Sequence, residues 1–387
     1  ISIRLINAIS LEPNREVTYE LFRALGKTAD NTALNFLAGY STDDENTIEG
    51  ISEGIYRSGL AGKFDSKMID RAIRIIAEDN SDKAQASAAH FFTRTQDIDF
   101  SKYTETLIGV FESFPSVEIR LPLIKAIGRT ESPDALPVLV KATISDPDYR
   151  VRVNAISTLS SFKYSKVEKS VITSLSDENI HVRIAAAEYL STTAKINDSA
   201  ALMEFAETSG DWRVRSLLYK SLLKNGRKTE LSKAIHRHYN QSTNPYEKAW
   251  LLDALSGDLE NFRFINDAVF HSEISVIRTY GMNAIVDIYR NFRLTPEQQR
   301  EFISAFKMAI LSGDPVLAYI AADILKDPEL GFKELIKDYL FLHEGITKLD
   351  LPADWEAAVE IQKTILYFDP ERDLPVIEKP VDRPIQW

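Results

Sequence analysis

The chain has 387 residues, a net charge of −11 at pH 7 and no cysteine. Disulfides and thiolate metal sites are therefore excluded, and a broad nucleic-acid surface, which needs clustered Lys and Arg, is disfavoured. Apolar residues make up 44% of the chain, yet no apolar run approaches the ~18–20 residues of a bilayer span, so no integral membrane segment is expected. The chain starts at Ile1 rather than Met, which reads as a trimmed or processed start and leaves the compartment, cytoplasmic or exported, open.

In chain order, LFRALG (21–26), IEGISEGIYRSGLAG (48–62) and AQASAAHFF (84–92) are partial copies of one theme. The second is rich in glycine (Gly50, Gly54, Gly59, Gly62), but Gly62-Lys63-Phe64 lacks a Gly five residues earlier, so it is no phosphate-binding loop. Close helix packing or a local bend explains these glycines better. The theme becomes explicit at IRLPLIKAI (119–127), an apolar residue and Arg followed by an apolar run closed by Leu or Ile seven residues after the Arg. It recurs as VRVNAISTL, VRIAAAEYL, VRSLLYKSL and IRTYGMNAI, with EKAWLLDAL putting Lys248 in the Arg slot. From Arg120 through Arg152, Arg183, Arg215, Lys248 and Arg278 the steps are 32, 31, 32, 33 and 30 residues. A fixed period of this size signals stacked supersecondary units.

Each copy has helical period. Ala155, Ile156 and Leu159 share a face, as do Ala186, Ala187 and Leu190, and Leu218, Tyr219 and Leu222. A second apolar-periodic stretch lies between successive copies (ALPVLVKATI, VEKSVITSL, ALMEFAETS), followed by turn and cap residues such as Asp146-Pro147-Asp148, Asp177-Glu178-Asn179, Gly210-Asp211 and Asn244-Pro245. No alternating strand pattern bounded by hairpin turns is present. Each unit is thus two antiparallel helices, and the fold class is all-α. VLAYIAADIL, from Val316, places Ala318 in the Arg slot, and a last pair is expected from about Phe332 to Phe368 around Leu351-Pro352. Beyond it, Pro370, Pro375, Pro380 and Pro384 forbid helix and read as an extended tail or linker over 369–387.

A helix pair with an Asp or Asp-Pro turn and Val-Arg opening the second helix resembles the HEAT repeat family. The resemblance covers 1–368 and is best formed over about 115–290. It implies a right-handed α-solenoid of about ten helix pairs. It also implies that the arginines Arg120, Arg152, Arg183, Arg215 and Arg278 form a structural ladder, paired with turn acids such as Asp146, Asp177 and Asp211. In such folds the second helices line the concave surface. The polar position five residues after each Arg slot, Lys125, Ser157, Glu188, Lys220, Asp253 and Asn283, with Asp323 in the next unit, is then the candidate partner-binding column. Its signs are mixed, so a protein or peptide partner fits better than nucleic acid, which needs repeated cations.

No catalytic set, cofactor site or metal site is expected. His236 and His238 diverge by about 200° on a helix, and no HExxH motif occurs. Asp211-Trp212-Arg213 repeats the letters of the lesion site in HEAT-like alkylpurine DNA glycosylases, but at a turn of an acidic chain; aromatics such as Trp212, Trp250, Trp355, Tyr219, Tyr280 and Tyr319 read as core. The leading functional expectation is a noncatalytic protein-interaction scaffold. KPVDRPIQW, at 379–387, is similar to the linker preceding a cyclophilin-type peptidyl-prolyl isomerase domain in some bacterial proteins. That similarity implies an alternative, an accessory array of a larger isomerase whose catalytic domain lies outside this segment. A HEAT-like bilin lyase is a third alternative, resting on the repeat alone.

Overall fold

The computed structural model describes residues 1–78, 80–113, 116–192, 199–224 and 228–380, so the last part of the tail, 381–387 with Pro384, lies outside the described residues. Every regular element among them is helical. Two compact units divide the chain, Ile1–Leu190 and Ser191–Trp387.

Unit 1 is built from α1 (Ser2–Leu11), α2 (Arg15–Thr28), α3 (Asn31–Gly39), α4 (Glu45–Leu60), α5 (Ser66–Ala77), α6 (Asp82–Arg94), α7 (Thr104–Ser113), α8 (Val117–Arg129), α9 (Ala135–Ser145), α10 (Tyr149–Thr158), α11 (Tyr164–Ser174) and most of α12 (Ile180–Thr192). From α1 to α9 each helix packs on its pair mate and on the helix two ahead, giving one layer of α1, α3, α5, α7, α9 and α11 and another of α2, α4, α6, α8 and α10. Amide, acidic or hydroxyl side chains cap the second helices α2, α4, α6 and α10, though not α8. Asn14 receives the amides of Glu16 and Val17, Asp44 that of Thr47, Ser81 that of Ala84, and Asp148 that of Arg150.

Unit 2 continues with α13 (Ser199–Thr208), α14 (Trp212–Lys224), α15 (Lys228–Gln241), α16 (Pro245–Leu255), α17 (Phe262–His271), α18 (Ser275–Asn291), α19 (Pro296–Leu311), α20 (Pro315–Leu325), α21 (Phe332–Leu335), α22 (Leu340–Thr347) and α23 (Trp355–Phe368). Here α14, α16, α18, α20 and α23 stack in succession. Pro245 and Pro315 occupy the first helical position behind the caps Asn244 and Asp314. The described helices form eleven pairs, with the short α21 additional. The apolar triplets read from the repeat theme, among them Ala155, Ile156, Leu159, Leu218, Tyr219 and Leu222, are all buried.

The glycines of α4 mark the closest helix approach in unit 1. A Cβ at Gly54 would stand 2.7 Å from Leu37 Cδ2 and 2.8 Å from the Phe22 carbonyl, and one at Gly26 would run into the Gly54 backbone. Close packing, rather than a ligand loop, therefore accounts for them. Alanine is ordinarily the better helix former by roughly 1 kcal/mol. Gly54→Ala is nevertheless expected to lower stability by about 1–3 kcal/mol through overpacking. Gly109→Ala on exposed α7, where a Cβ meets nothing within 4 Å, should be neutral or stabilising. Thermal unfolding followed by circular dichroism compares the two, and equal shifts would contradict the close-approach account.

Candidate partner-binding faces

The arginines of the repeat theme sit in the first turn of each second helix, where the side chain can reach two turns at once. In unit 1, Arg120 grips Asp146 through Nε and Nη2 at 3.1 and 3.2 Å. Arg152 grips Asp177 in the same way at 2.8 and 2.9 Å, while its Nη1 donates to the Asp146 carbonyl at 2.8 Å. Arg183 donates to the carbonyls of Asp177 and Glu178. In unit 2, Arg215 binds Glu247 at 2.6 Å and the Ser209 carbonyl at 2.8 Å, and Arg278 binds Asp314 at 2.8 Å.

Arg120 and Arg152 thus hold the turn acids Asp146 and Asp177, each reaching forward to the turn that follows its helix pair, whereas Asp211 is not held by a ladder arginine. The carboxylates lie ahead, on the following turn for Arg120, Arg152 and Arg278 and in the first turn of α16 for Arg215, while for Arg152, Arg183 and Arg215 the turn six residues back supplies a carbonyl. In Arg120 and Arg152 the planar Nε/Nη2 edge matches a carboxylate, and in Arg152 the remaining amine serves a single carbonyl; Arg215 divides its two terminal amines, Nη1 to Glu247 and Nη2 to the carbonyl. The acids also shape their own turns, Asp146 accepting the Asp148 amide and Asp177 that of Asn179. Asp211 follows another pattern and pairs with Arg213 at 2.7 Å while receiving the amides of Arg213 and Val214. Burial pushes its carboxyl up, but Arg213 and these amides hold it below the ordinary carboxylate range. Lys248 turns to the ring of Tyr239, with Nζ 5.0 Å from the centroid.

The polar column splits into two kinds of surface. In unit 1, Lys125 on α8, Ser157 on α10 and Glu188 on α12 are exposed. In unit 2, Asn283 on α18 and Asp323 on α20 are exposed, but Lys220 on α14 and Asp253 on α16 are half-buried and bonded to each other, Nζ lying 2.8 Å from both carboxylate oxygens. Asp323 pairs with Lys326, which also reaches Glu360 of α23. Behind the Lys220–Asp253 pair stand Lys224, whose Nζ donates to the Ser191 carbonyl at 3.0 Å, and Asp287. Burial, then Lys220, lowers the Lys224 pKa. Burial raises the pKa of Asp287, with Lys220 opposing and Asp253 adding to the rise.

The sequence reading did not find a polar seam in unit 1, where the partial copies lack the arginine. Glu53, 6% exposed on α4, accepts Arg57 Nε at 2.6 Å and lies 3.9 Å from Arg23 of α2. Next to it, Lys83 pairs with Glu49 at 2.9 Å and covers the Tyr19 ring at 4.1 Å. Its only signal is a carboxylate set among Gly50, Ile51, Gly54 and Ile55. The histidines of α15 have separate surroundings, His236 stacked on Phe264 and bonded to Asn261, His238 beside Tyr219. Trp212 makes an edge contact with Trp250, and its neighbour Arg213 lies 5.8 Å from its ring. Among the described residues no group of three or more His, Asp or Glu is placed to hold a metal ion, and no helix is long and apolar enough to cross a membrane.

The paired helices, the stacked layers and the arginine–acid turns define a HEAT-like α-solenoid. Residues 137–223 match a sequence model of HEAT repeats. The fold is similar to yeast importin-β, Kap95p, at 10% identity and a TM-score of 0.54, with 94% of this chain and 55% of that chain covered. Kap121p, in its complex with Pho4p, aligns at 14% identity and a TM-score of 0.48 over 94% of this chain and 52% of its own. The chain thus spans about half the length of the solved chains it matches. None of the curated proteins matches its sequence. Residues 137–223 thus read as HEAT repeats, within a fold of HEAT-like helix pairs.

Two outcomes follow from these contacts. Arg152→Ala leaves Asp177 buried without its cation and should cost about 3–5 kcal/mol, with Arg152→Lys recovering only part because a point charge cannot reproduce the fork. Chemical denaturation of the two variants measures this, and an Arg152→Ala chain as stable as its parent would refute the ladder's structural role. For Asp287 the raised folded pKa means the native state binds the proton more tightly than the unfolded chain. Its favourable contribution is complete below the ordinary value of 3.8 and is lost as pH rises through the folded pKa. Asp287→Asn should therefore raise the melting temperature relative to the parent at pH 7, the advantage shrinking as the pH is lowered towards 3.8.

Proposed function

We propose that the chain is a noncatalytic scaffold that binds a protein or peptide partner along the exposed polar column of its second helices. The observation that carries this reading is the set of exposed side chains of mixed character at one position of successive second helices, Lys125, Ser157 and Glu188 in unit 1, 32 and 31 residues apart, and Asn283 and Asp323 in unit 2, 40 apart. Repeat stacks offer long surfaces without needing a deep pocket. Alternating cation, hydroxyl, anion and amide suit a folded or peptide surface better than the uniform charge of a nucleic-acid backbone. Lys220 and Asp253 serve mainly to neutralise each other and to order the column on α14 and α16.

The test is capture of partners from an extract of the source cells, followed by titration of a purified partner. A Lys125→Glu, Ser157→Arg, Asn283→Arg variant changes exposed positions only, and should weaken that partner at least tenfold while keeping the parent's melting temperature. Unchanged affinity for every captured partner would refute the column as the binding face. A second reading, an accessory array of a peptidyl-prolyl isomerase, is supported by the likeness of 379–387 to a linker. A stop codon directly after codon 387 in the parent reading frame would end it.

A further inference from the structure

The end of unit 2 carries a second surface, independent of the column just described. After α23 the chain turns back and runs along that helix without forming a helix or strand over 373–380. Backbone carbonyls in such a segment need partners from elsewhere. Two are satisfied by side chains of α23, Gln362 Nε2 donating to the Pro375 carbonyl at 2.7 Å and Trp355 Nε1 to the Ile377 carbonyl at 2.9 Å. Lys379 then places Nζ 5.6 Å from the centre of the Trp355 ring. Leu374 and Ile377 are half-buried, three residues apart, whereas Val376 between them is 89% exposed. A spacing of three with flanking prolines is the face period of a polyproline II strand.

The surface under this segment is larger than the segment needs. One groove of about 510 Å³ runs past Lys379 and Pro380 to Pro315, Val316 and Tyr319 of α20, the last two 40% and 43% exposed. Another of about 660 Å³ lies on the opposite flank, between Leu374, Ile377 and the residues Ile346, Thr347 and Leu351. A tryptophan and an amide that bond main-chain carbonyls, with apolar slots beside them, recognise an extended peptide by its backbone and its prolines rather than by a folded shape.

We propose that the face made by α20, α22 and α23 is a recognition site for an extended, proline-bearing peptide, and that residues 374–380 are its resident ligand in cis, exchangeable with a peptide of the same chemistry in trans. Tethering gives the resident segment an effective concentration on the order of millimolar, so a competing peptide must reach that range to displace it.

The absence of cysteine makes the experiment direct. In the full chain, Val376→Cys carries a fluorophore on an exposed side chain, and its anisotropy reports whether the segment is held. The label should tumble slowly in the parent background. It should tumble freely when Trp355→Phe, which keeps the ring but removes the donor, is combined with Gln362→Ala, at an unchanged circular dichroism spectrum. Addition of an unlabelled peptide spanning residues 371–380 should release the label in the parent background with a midpoint on the order of millimolar, and a scrambled peptide should not. A label equally mobile in the parent and double-variant backgrounds overturns the docking. A label that stays held at roughly ten times that concentration, or yields equally to the scrambled peptide, overturns the recognition. Neither readout involves the polar column, so failure here leaves the proposed function untouched, and the reverse also holds.

Discussion

One contact organises this protein: a guanidinium with its two edges committed to two consecutive turns. A HEAT-like helix pair cannot bury its apolar faces alone and depends on its neighbours. Apolar packing draws the pairs together but is weakly directional. The forked bonds of Arg152 to Asp177 and to the Asp146 carbonyl, and of Arg215 to Glu247 and the Ser209 carbonyl, add the missing direction. They fix the step from one turn to the next to within hydrogen-bond tolerance, and the acids order their own turns by receiving amides from them. The helix faces then meet in one register, and the column five residues on becomes regularly spaced.

Burial makes this contact costly to break and of modest value to form. Arg120 and Asp146, like Arg152 and Asp177, are nearly withdrawn from water. Two ions pay heavily for desolvation, and their attraction returns that cost only when every remaining donor and acceptor is also used. These sites meet that condition through the turn amides and carbonyls. The pairs therefore act more as registry devices than as a source of net stability. Asp287 shows the opposite case, a half-buried carboxyl with like charge from Asp253 nearby, which folding tolerates rather than exploits.

Much of the architecture was legible in the sequence because a helix pair repeats its burial pattern locally. The apolar triplets and the capping turns each depend on residues fewer than ten apart, and the arginine slot that marks each copy simply recurs at steps of 30 to 33 residues. The partners of the arginines were legible in kind, as turn acids, but not in identity. Arg120 and Asp146, or Arg278 and Asp314, meet only once the units have stacked, and a period of about 32 residues allows the preceding or the following turn equally. The Glu53 seam was hidden because a single carboxylate in an apolar run gives no sign of which cation will cover it. The prolines after Phe368 announced a segment that cannot be helical; that Trp355 and Gln362 would hold its carbonyls depends on how α23 is turned, which no local pattern encodes.

Within unit 2, Lys248 gives the ladder an irregular rung. The turn ahead of it, at Ser272–Ile274, contains Glu273 but supplies no side-chain cap to α18, and Lys248 covers the Tyr239 ring instead of reaching forward. Within unit 2 the neighbouring rungs, Arg215 with Glu247 and Arg278 with Asp314, are intact. Among the described residues, no arginine–carboxylate pair braces the seam between α16 and α18, which is packed through buried apolar residues such as Leu252, Gly281 and Ile285. Apolar contacts yield gradually as surfaces slide, whereas a forked ion pair resists until it snaps. Pulled along its length, unit 2 would meet less directional resistance at this seam than at the rungs of Arg215 and Arg278 on either side.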